Sequence, residues 1–443
     1  MTTSRFIANP SPSDMPRVAD VVIIGGGPAG TAALWAIERF APGTQTVLIE
    51  KSERLGAGSS LASLENYRTC WPPVCLAQMM RRSVEIFHNA DEYLGEGASQ
   101  SLALKEQGYL FCAFTPAQTK TLQQDVEHLH KIGLTHIEYL DADEVAYRFG
   151  WLGNRVIGVK YDPIAGWLDS NALIYRYAQS AKSAKILLGI GHTEICVQRG
   201  KVAGVKTPTG EIVAPIVIIA AGANAITVGR TAGVELPVVM RPRQSFTTPT
   251  RHSAFPDDAP MIIGASPYPH VRPEACSGAI FGWEYGWNTK RIQQDKGDGS
   301  HNFLVDPVFP LDPLRDPRFP SITLLMLARQ FGHADGEGFV NPGYLRGIQH
   351  NIGYYVSRSS DVAYRETETG ERIPYESERA IIDAMPGIEG LFVSIAHVGH
   401  GIMSSPAAGE IIAARVLGRD LPDPIFAQFG FDAHWVEHDE NAL

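Results

Sequence analysis

The sequence predicts an α/β fold, α+β overall, with a parallel sheet assembled from three separated segments and a second domain on a mixed or antiparallel sheet. Three observations carry this. Residues 21–50 read as strand, glycine turn, helix and strand; residues 216–223 read as another buried strand; residues 390–417 read as a closing strand, turn and helix. Between them, residues 241–372 change to many prolines, aromatics and short strand signals, the texture of a second sheet.

Val21, Val22, Ile23 and Ile24 form an apolar run short enough for a buried parallel strand, and Gly25, Gly27 and Gly30 follow at the GxGxxG spacing. The first glycine permits the tight turn, the second lets a pyrophosphate approach the backbone, and the third lets residues 31–40 pack closely as a helix on the strand. Free N–H groups and the positive dipole end at that helix start favour an anion. Glu50 ends the next strand about 20 residues beyond the glycines, where a carboxylate accepts hydrogen bonds from a ribose and repels a 2′-phosphate. The unit is therefore Rossmann-like. Helical patterns follow near residues 76–93 and 116–132. A helix at 173–184, strands at 186–190 and 193–198, and a hairpin of 201–207 with 211–213 lead to the strand at 216–223. The stretch 295–320, rich in Gly, Asp and Pro, reads as a long loop. Pro406 suits the first turn of the last helix and Gly418 its stop.

These elements divide the chain into a discontinuous nucleotide domain (19–88, 160–240 and 375–420) and a substrate domain (89–159 and 241–374). A flexible leader (1–18) and a tail (421–443) flank them. A length of 443 residues agrees with two domains. The net charge of −10 argues against a general nucleic-acid surface, and no apolar stretch is long enough to span a bilayer. Cys70, Cys75, Cys112, Cys196 and Cys276 are odd in number and scattered, which matches neither a disulfide framework nor a zinc site, so a reducing cytoplasm is the expected home. His270, His350 and His397 have no metal-site spacing, and no metal is expected.

VVIIGGGPAG, VLIEK, IIAAGANA and the closing LFVSIAHVGHGIMSSPAAGEIIAARVLG, in this order, resemble the D-amino-acid oxidase/sarcosine oxidase superfamily of FAD-dependent oxidoreductases. The resemblance implies a Rossmann-like FAD-binding domain of the glutathione-reductase type. It implies that Gly25, Gly27, Pro28, Ala29 and Gly30 hold the FAD pyrophosphate and Glu50 the ribose. Lys51, Ser59 and Ser60 would lie along the cofactor, Val197 near the adenine, and Ala221 and Gly222 under the diphosphate. The closing turn, Gly399, His400, Gly401, Ile402 and Met403, would face the flavin. Backbone N–H groups of Gly401, Ile402 and Met403 would there stabilise the negative charge that develops as flavin N5 accepts a hydride. Two departures matter. Met403 stands where several relatives carry a Lys that binds substrate or helps activate oxygen. No His or Cys occurs in 56–68 or 364–385, where some relatives attach flavin covalently, so noncovalent FAD is expected.

A small amino acid needs a cation for its carboxylate, and guanidinium offers a bidentate match. Arg68 is the first choice by resemblance; Arg241 and Arg243 sit where the chain crosses between domains. Trp283, Tyr285 and Trp287 alternate as on one strand face, and Tyr354 and Tyr355 follow a glycine, so that Tyr355 is a substrate-wall candidate. His400 is a candidate acid/base, although hydride transfer from a neutral amine depends chiefly on positioning. The expected reaction is oxidation of the C–N bond of a small amino acid, followed by imine hydrolysis, with a secondary amine of the sarcosine or iminodiacetate type favoured. The alternatives are a D-amino-acid dehydrogenase, a 2-hydroxy-acid oxidase and a flavin-binding assembly factor without turnover. The partners implied are the amine or amino acid and O2 or a quinone as acceptor; a homo-oligomer stays open.

Overall fold

The protein is described by a computed structural model over residues 5–283, 292–294, 303–305, 312–332, 338–340, 342–359, 364–366, 372–374 and 378–432. Its seven-stranded sheet runs in the order Phe6–Ala8, Lys185–Leu188, Thr46–Glu50, Val21–Ile24, Ile216–Ile219, Leu391–Ile395, Ile381–Ala384. Every neighbouring pair is parallel except the last. Strand Val21–Ile24 explains why parallel strands read as continuous apolar runs. Val21 and Ile23 enter the core under helix Pro28–Phe40, while Val22 and Ile24 enter the core shared with the small sheet of Glu194–Gln198, Lys201–Thr207 and Gly210–Val213.

The chain returns to this sheet at its far end because two helices approach closely through small residues. Helix Ser405–Val416 packs on Pro28–Phe40, and a Cβ at Gly409 would stand 2.6 Å from the Ala32 carbonyl oxygen. Beside that contact, buried Glu410 accepts from Arg82 Nε at 2.8 Å and Arg39 Nη1 at 3.0 Å, which ties the closing helix to helix Val74–His88.

The second sheet has eight strands: Gln349–Arg358, Val238–Thr248, Gly278–Gly282, His270–Glu274, Met261–Ile263, Tyr109–Ala113, Gly158–Asp162 and Glu138–Asp141. Met261–Ile263 pairs in parallel with Tyr109–Ala113 and the other pairs are antiparallel, so the sheet is mixed.

Several elements differ from the sequence reading. Phe6–Ala8, inside the expected flexible leader, pairs with Lys185–Leu188 as an edge strand, because Phe6 and Ile7 supply apolar contacts and Asn9 N–H continues the ladder to Leu188 O at 2.9 Å. The expected tail contains the turn Pro424–Phe429, anchored by buried Phe426 and Phe429. Strand Gly158–Asp162 reaches past the expected border at 160 into the mixed sheet, and Leu94, Ala98 and Leu102, expected in the substrate domain, pack in the core of the parallel sheet. The stretch 295–320 includes strand Phe303–Val305, paired with Ile292–Gln294, and the start of helix Phe319–Phe331. Tyr285 and Trp287 lie outside the described residues.

Candidate active site

The opening turn is held by its neighbours on every side. Gly25 has φ +118°, and a Cβ there would sit 2.3 Å from the Ala220 carbonyl oxygen, so the end of strand Ile216–Ile219 lies directly on it. Gly30 is as constrained: its Cβ would stand 1.9 Å from the Gly25 oxygen. Both oxygens of Glu50 are engaged, Oε2 accepting from Gly26 N–H at 2.7 Å and Oε1 from Ser52 N–H at 2.8 Å. Each carboxylate oxygen keeps a further lone pair, so Glu50 both shapes the turn and retains acceptors for ribose hydroxyls. Above Gly27 nothing lies within 4 Å of an ideal Cβ, and the helix that Pro28 begins has no side-chain cap, so its first-turn N–H groups have no capping acceptor.

The closing turn is backbone-strained. Ala396 and Val398 hold φ of 60° and 49°, a left-handed conformation that costs on the order of 1 kcal/mol or more for a non-glycine residue. In this turn the N–H groups of His400, Ser404 and Ser405 bond to main-chain carbonyls; among the described residues those of Gly401, Ile402 and Met403 make no such bond. Burial pushes His397 down to about 4 and His400 to about 3, where His397 and the Arg68 charge add to the effect, so both imidazoles are neutral at ordinary pH.

A cavity of about 440 Å³ joins the two turns and reaches the mixed sheet. Its wall brings together Gly25, Gly27, Pro28, Ala29, Glu50, Lys51, Ser59, Ser60, Ala221, Gly222, Gly399, Gly401, Ile402, Arg243 and Tyr355. Ser59 also serves the other sheet, since its Oγ accepts from Tyr354 N–H at 3.1 Å. The Tyr355 ring lies so close to the closing turn that a Cβ at Gly399 would be 2.4 Å from its Cζ, and the Arg243 guanidinium stands over the same ring at 5.0 Å. Asp312, Gln244, His270 and Trp283 also line the cavity.

Six residues expected at the site are not on this wall. Gly30 acts from beneath the turn. Val197 packs from strand Glu194–Gln198 against the core; the wall there is Ile190 to Thr193 with Thr227, Val228 and Thr231. Met403 is buried with Met79 and Met80, because the turn directs it down between the helices. Arg241 is 1% exposed within strand Val238–Thr248. His400 is 2% exposed, its ring 5.0 Å from that of Trp71. Arg68 is turned inward because Asp162 Oδ2 fixes the next two residues, accepting from Thr69 N–H at 2.8 Å, Thr69 Oγ1 at 3.0 Å and Cys70 N–H at 3.1 Å. The missed segment at 190–193 had a signal: it follows a strand neighbouring Thr46–Glu50, and ligands in open α/β sheets bind beyond the carboxyl ends of strands.

The open space over Gly27, the uncapped helix start, the spare acceptors of Glu50 and the unbonded N–H groups of the closing turn fit the two ends of FAD. Among the described residues no cluster of metal-ligating side chains occurs, and no helix is long and apolar enough to cross a membrane.

Comparison with known proteins shows the family. Residues 20–415 match the family model described as FAD dependent oxidoreductase, DAO. The chain is 21% identical to the FAD-dependent oxidoreductase domain-containing protein 1 homolog of Drosophila melanogaster, over 95% of this chain and 79% of that protein. It is 25% identical to sarcosine oxidase subunit beta of Arthrobacter sp over 54% of this chain and 59% of the relative. The structure of L-proline dehydrogenase from P. horikoshii superimposes with a TM-score of 0.72 at 21% identity, covering 94% of this chain and 98% of that one. The chain belongs to the DAO family of FAD-dependent oxidoreductases and is an enzyme of that class.

Proposed function

We propose that the cavity oxidises the C–N bond of a small amino acid, with a secondary amine such as an N-substituted glycine as the favoured substrate. The observation that carries this is the placement of Arg243 on the wall beside Tyr355 and Gly399. A guanidinium that would take a carboxylate is thereby on the same wall as the closing turn, whose Gly401, Ile402 and Met403 N–H groups make no main-chain bond among the described residues. Sarcosine oxidase and L-proline dehydrogenase, similar to this chain, are named for secondary amino acids, which supports the substrate class.

When bound, FAD supplies acceptance of a hydride. Gly25, Gly27, Pro28, Ala29 and Gly30 would hold the pyrophosphate end, Gly25, Gly27 and Pro28 by shaping the turn and Ala29 and Gly30 by their N–H groups, with Glu50 on the ribose and Gly401, Ile402 and Met403 at the flavin end. Arg243 would take the carboxylate as a charge-assisted pair and so orient the carbon beside nitrogen. Tyr355, pinned between Arg243 and Gly399, excludes water from that face. His397 and His400 stay neutral and leave the amine as the group that must lose its proton before reaction. The imine product hydrolyses in water to a carbonyl compound and the released amine. O2 or a quinone would reoxidise the cofactor.

The test is anaerobic mixing of the flavin-loaded protein with secondary amino acids, D-amino acids and 2-hydroxy acids. Secondary amino acids are expected to bleach the flavin fastest, and bleaching by hydroxy acids alone would overturn the reading. Precipitation with acid is expected to release all the flavin into the supernatant, because neither 56–68 nor 364–385 carries His or Cys. Yellow colour retained on the washed precipitate would show a covalent link.

A further inference from the structure

Arg68, Trp71 and His400 are 3%, 3% and 2% exposed and form one stack. The Arg68 Cζ lies 3.8 Å from the Trp71 ring centre and 5.2 Å from that of Phe111, and the His400 ring meets Trp71 at 5.0 Å and 67°. Among the described residues the guanidinium meets no carboxylate and no carbonyl; its polar contact is the Cys70 thiol at 3.7 Å. A cation so far from water is costly unless something of opposite charge or polarisable character faces it. Here two aromatic faces do so in place of a counter-ion.

We propose that Trp71 is a positioning residue that holds Arg68 as a fixed buried cation behind the closing turn, where it stabilises the negative charge of the reduced flavin. The inference rests on the reading that Gly401 to Met403 face the reacting end of FAD. The stack then has a clear logic. The order is Arg68, Trp71, His400 and then the cavity wall at Gly399 and Gly401, so the Trp71 indole and the neutral His400 ring stand between the cation and the cofactor's place. Trp71 fixes the distance on the other side of that ring. Hydride uptake would add a negative charge to the flavin, and the Arg68 guanidinium, already fixed in place, would meet that charge without reorganising. Without the indole face the guanidinium has little to keep it from turning toward water, and its field at the turn is lost.

The experiment is dye-mediated redox titration of the FAD-loaded protein without substrate, in wild type, Trp71→Phe, Trp71→Leu, Arg68→Met and the double variant Trp71→Leu/Arg68→Met. Arg68→Met and Trp71→Leu are each expected to lower the reduced-to-oxidised ratio at a fixed potential by about tenfold, which is about 30 mV for a two-electron couple. Trp71→Phe keeps an aromatic face and should stay near wild type. The double variant should fall no further than Arg68→Met, because Trp71 acts through Arg68. An unchanged potential in Arg68→Met, or additive losses in the double variant, overturns the proposal. If Trp71→Leu does not fold, Trp71→Met, which also lacks the aromatic face, takes its place with the same expected loss. Because no substrate enters the titration, shifted potentials in a protein that oxidises no amine would sustain this inference while sinking the proposed function.

Discussion

Gly30→Ala is expected to weaken FAD binding by at least about 100-fold, roughly 2.7 kcal/mol, while the mixed sheet stays folded. The reason is geometric. A methyl group at residue 30 would stand 1.9 Å from the Gly25 carbonyl oxygen and 3.3 Å from Ile23 Cγ2. The first of these is main chain and cannot swing aside. Either the helix start moves away from the turn, or Gly25 moves and meets the Ala220 oxygen already pressed on it. Both movements spoil the aim of the first-turn N–H groups. Overpacking of this kind costs about 1–3 kcal/mol in a core, and here the strain falls on the pyrophosphate site. Fluorescence titration of the apoprotein with FAD measures the loss, with Gly27→Ala as a comparison. At residue 27 a Cβ meets no protein atom, so that variant should impair binding without disturbing the apoprotein's melting temperature.

The second large effect is expected at Arg243. Arg243→Met should lower kcat/KM for a carboxylate-bearing amine by about 100- to 1,000-fold, the loss of a charge-assisted bidentate pair worth about 3–4 kcal/mol. An amine of similar size without a carboxylate should lose little. Arg243→Lys should recover part of the activity, since ammonium supplies charge without the planar fork. Flavin content is expected to be unaffected, because the cofactor's pyrophosphate end is held at the parallel sheet. Equal losses for the two amines would assign Arg243 to packing against Tyr355 instead. Steady-state kinetics with a carboxylate-bearing substrate and its decarboxylated counterpart separates these outcomes.

Local chemistry explains which parts of this site were legible in the chain. The opening turn and Glu50 are a continuous stretch whose spacing is dictated by one turn, so the residues announce their own geometry. The closing turn was equally readable, because Gly399, Gly401 and the proline-started helix form another compact unit. The remaining wall depends on register between distant strands. Arg243 and Tyr355 meet because Val238–Thr248 pairs with Gln349–Arg358, with Arg241 opposite Tyr355 and Arg243 opposite Gly353, and no local pattern encodes that pairing. Arg68 shows the opposite case. Its position in the chain suggested a ligand, but Asp162, more than ninety residues later, turns the segment so that the side chain stacks on Trp71. Phe6–Ala8 escaped notice because three residues ahead of a proline cluster carry too little periodicity to mark a strand.

On the proposed function the carbon beside nitrogen, oriented by Arg243, gives its hydrogen with both electrons to FAD. The most direct measurement is the rate of anaerobic flavin bleaching by an N-methyl amino acid and by the same compound deuterated at the oxidised carbon. Complete bleaching in a single phase that slows severalfold with deuterium is expected. Absence of bleaching, or equal rates for the two compounds with the reduction step shown to be rate-limiting, would contradict it.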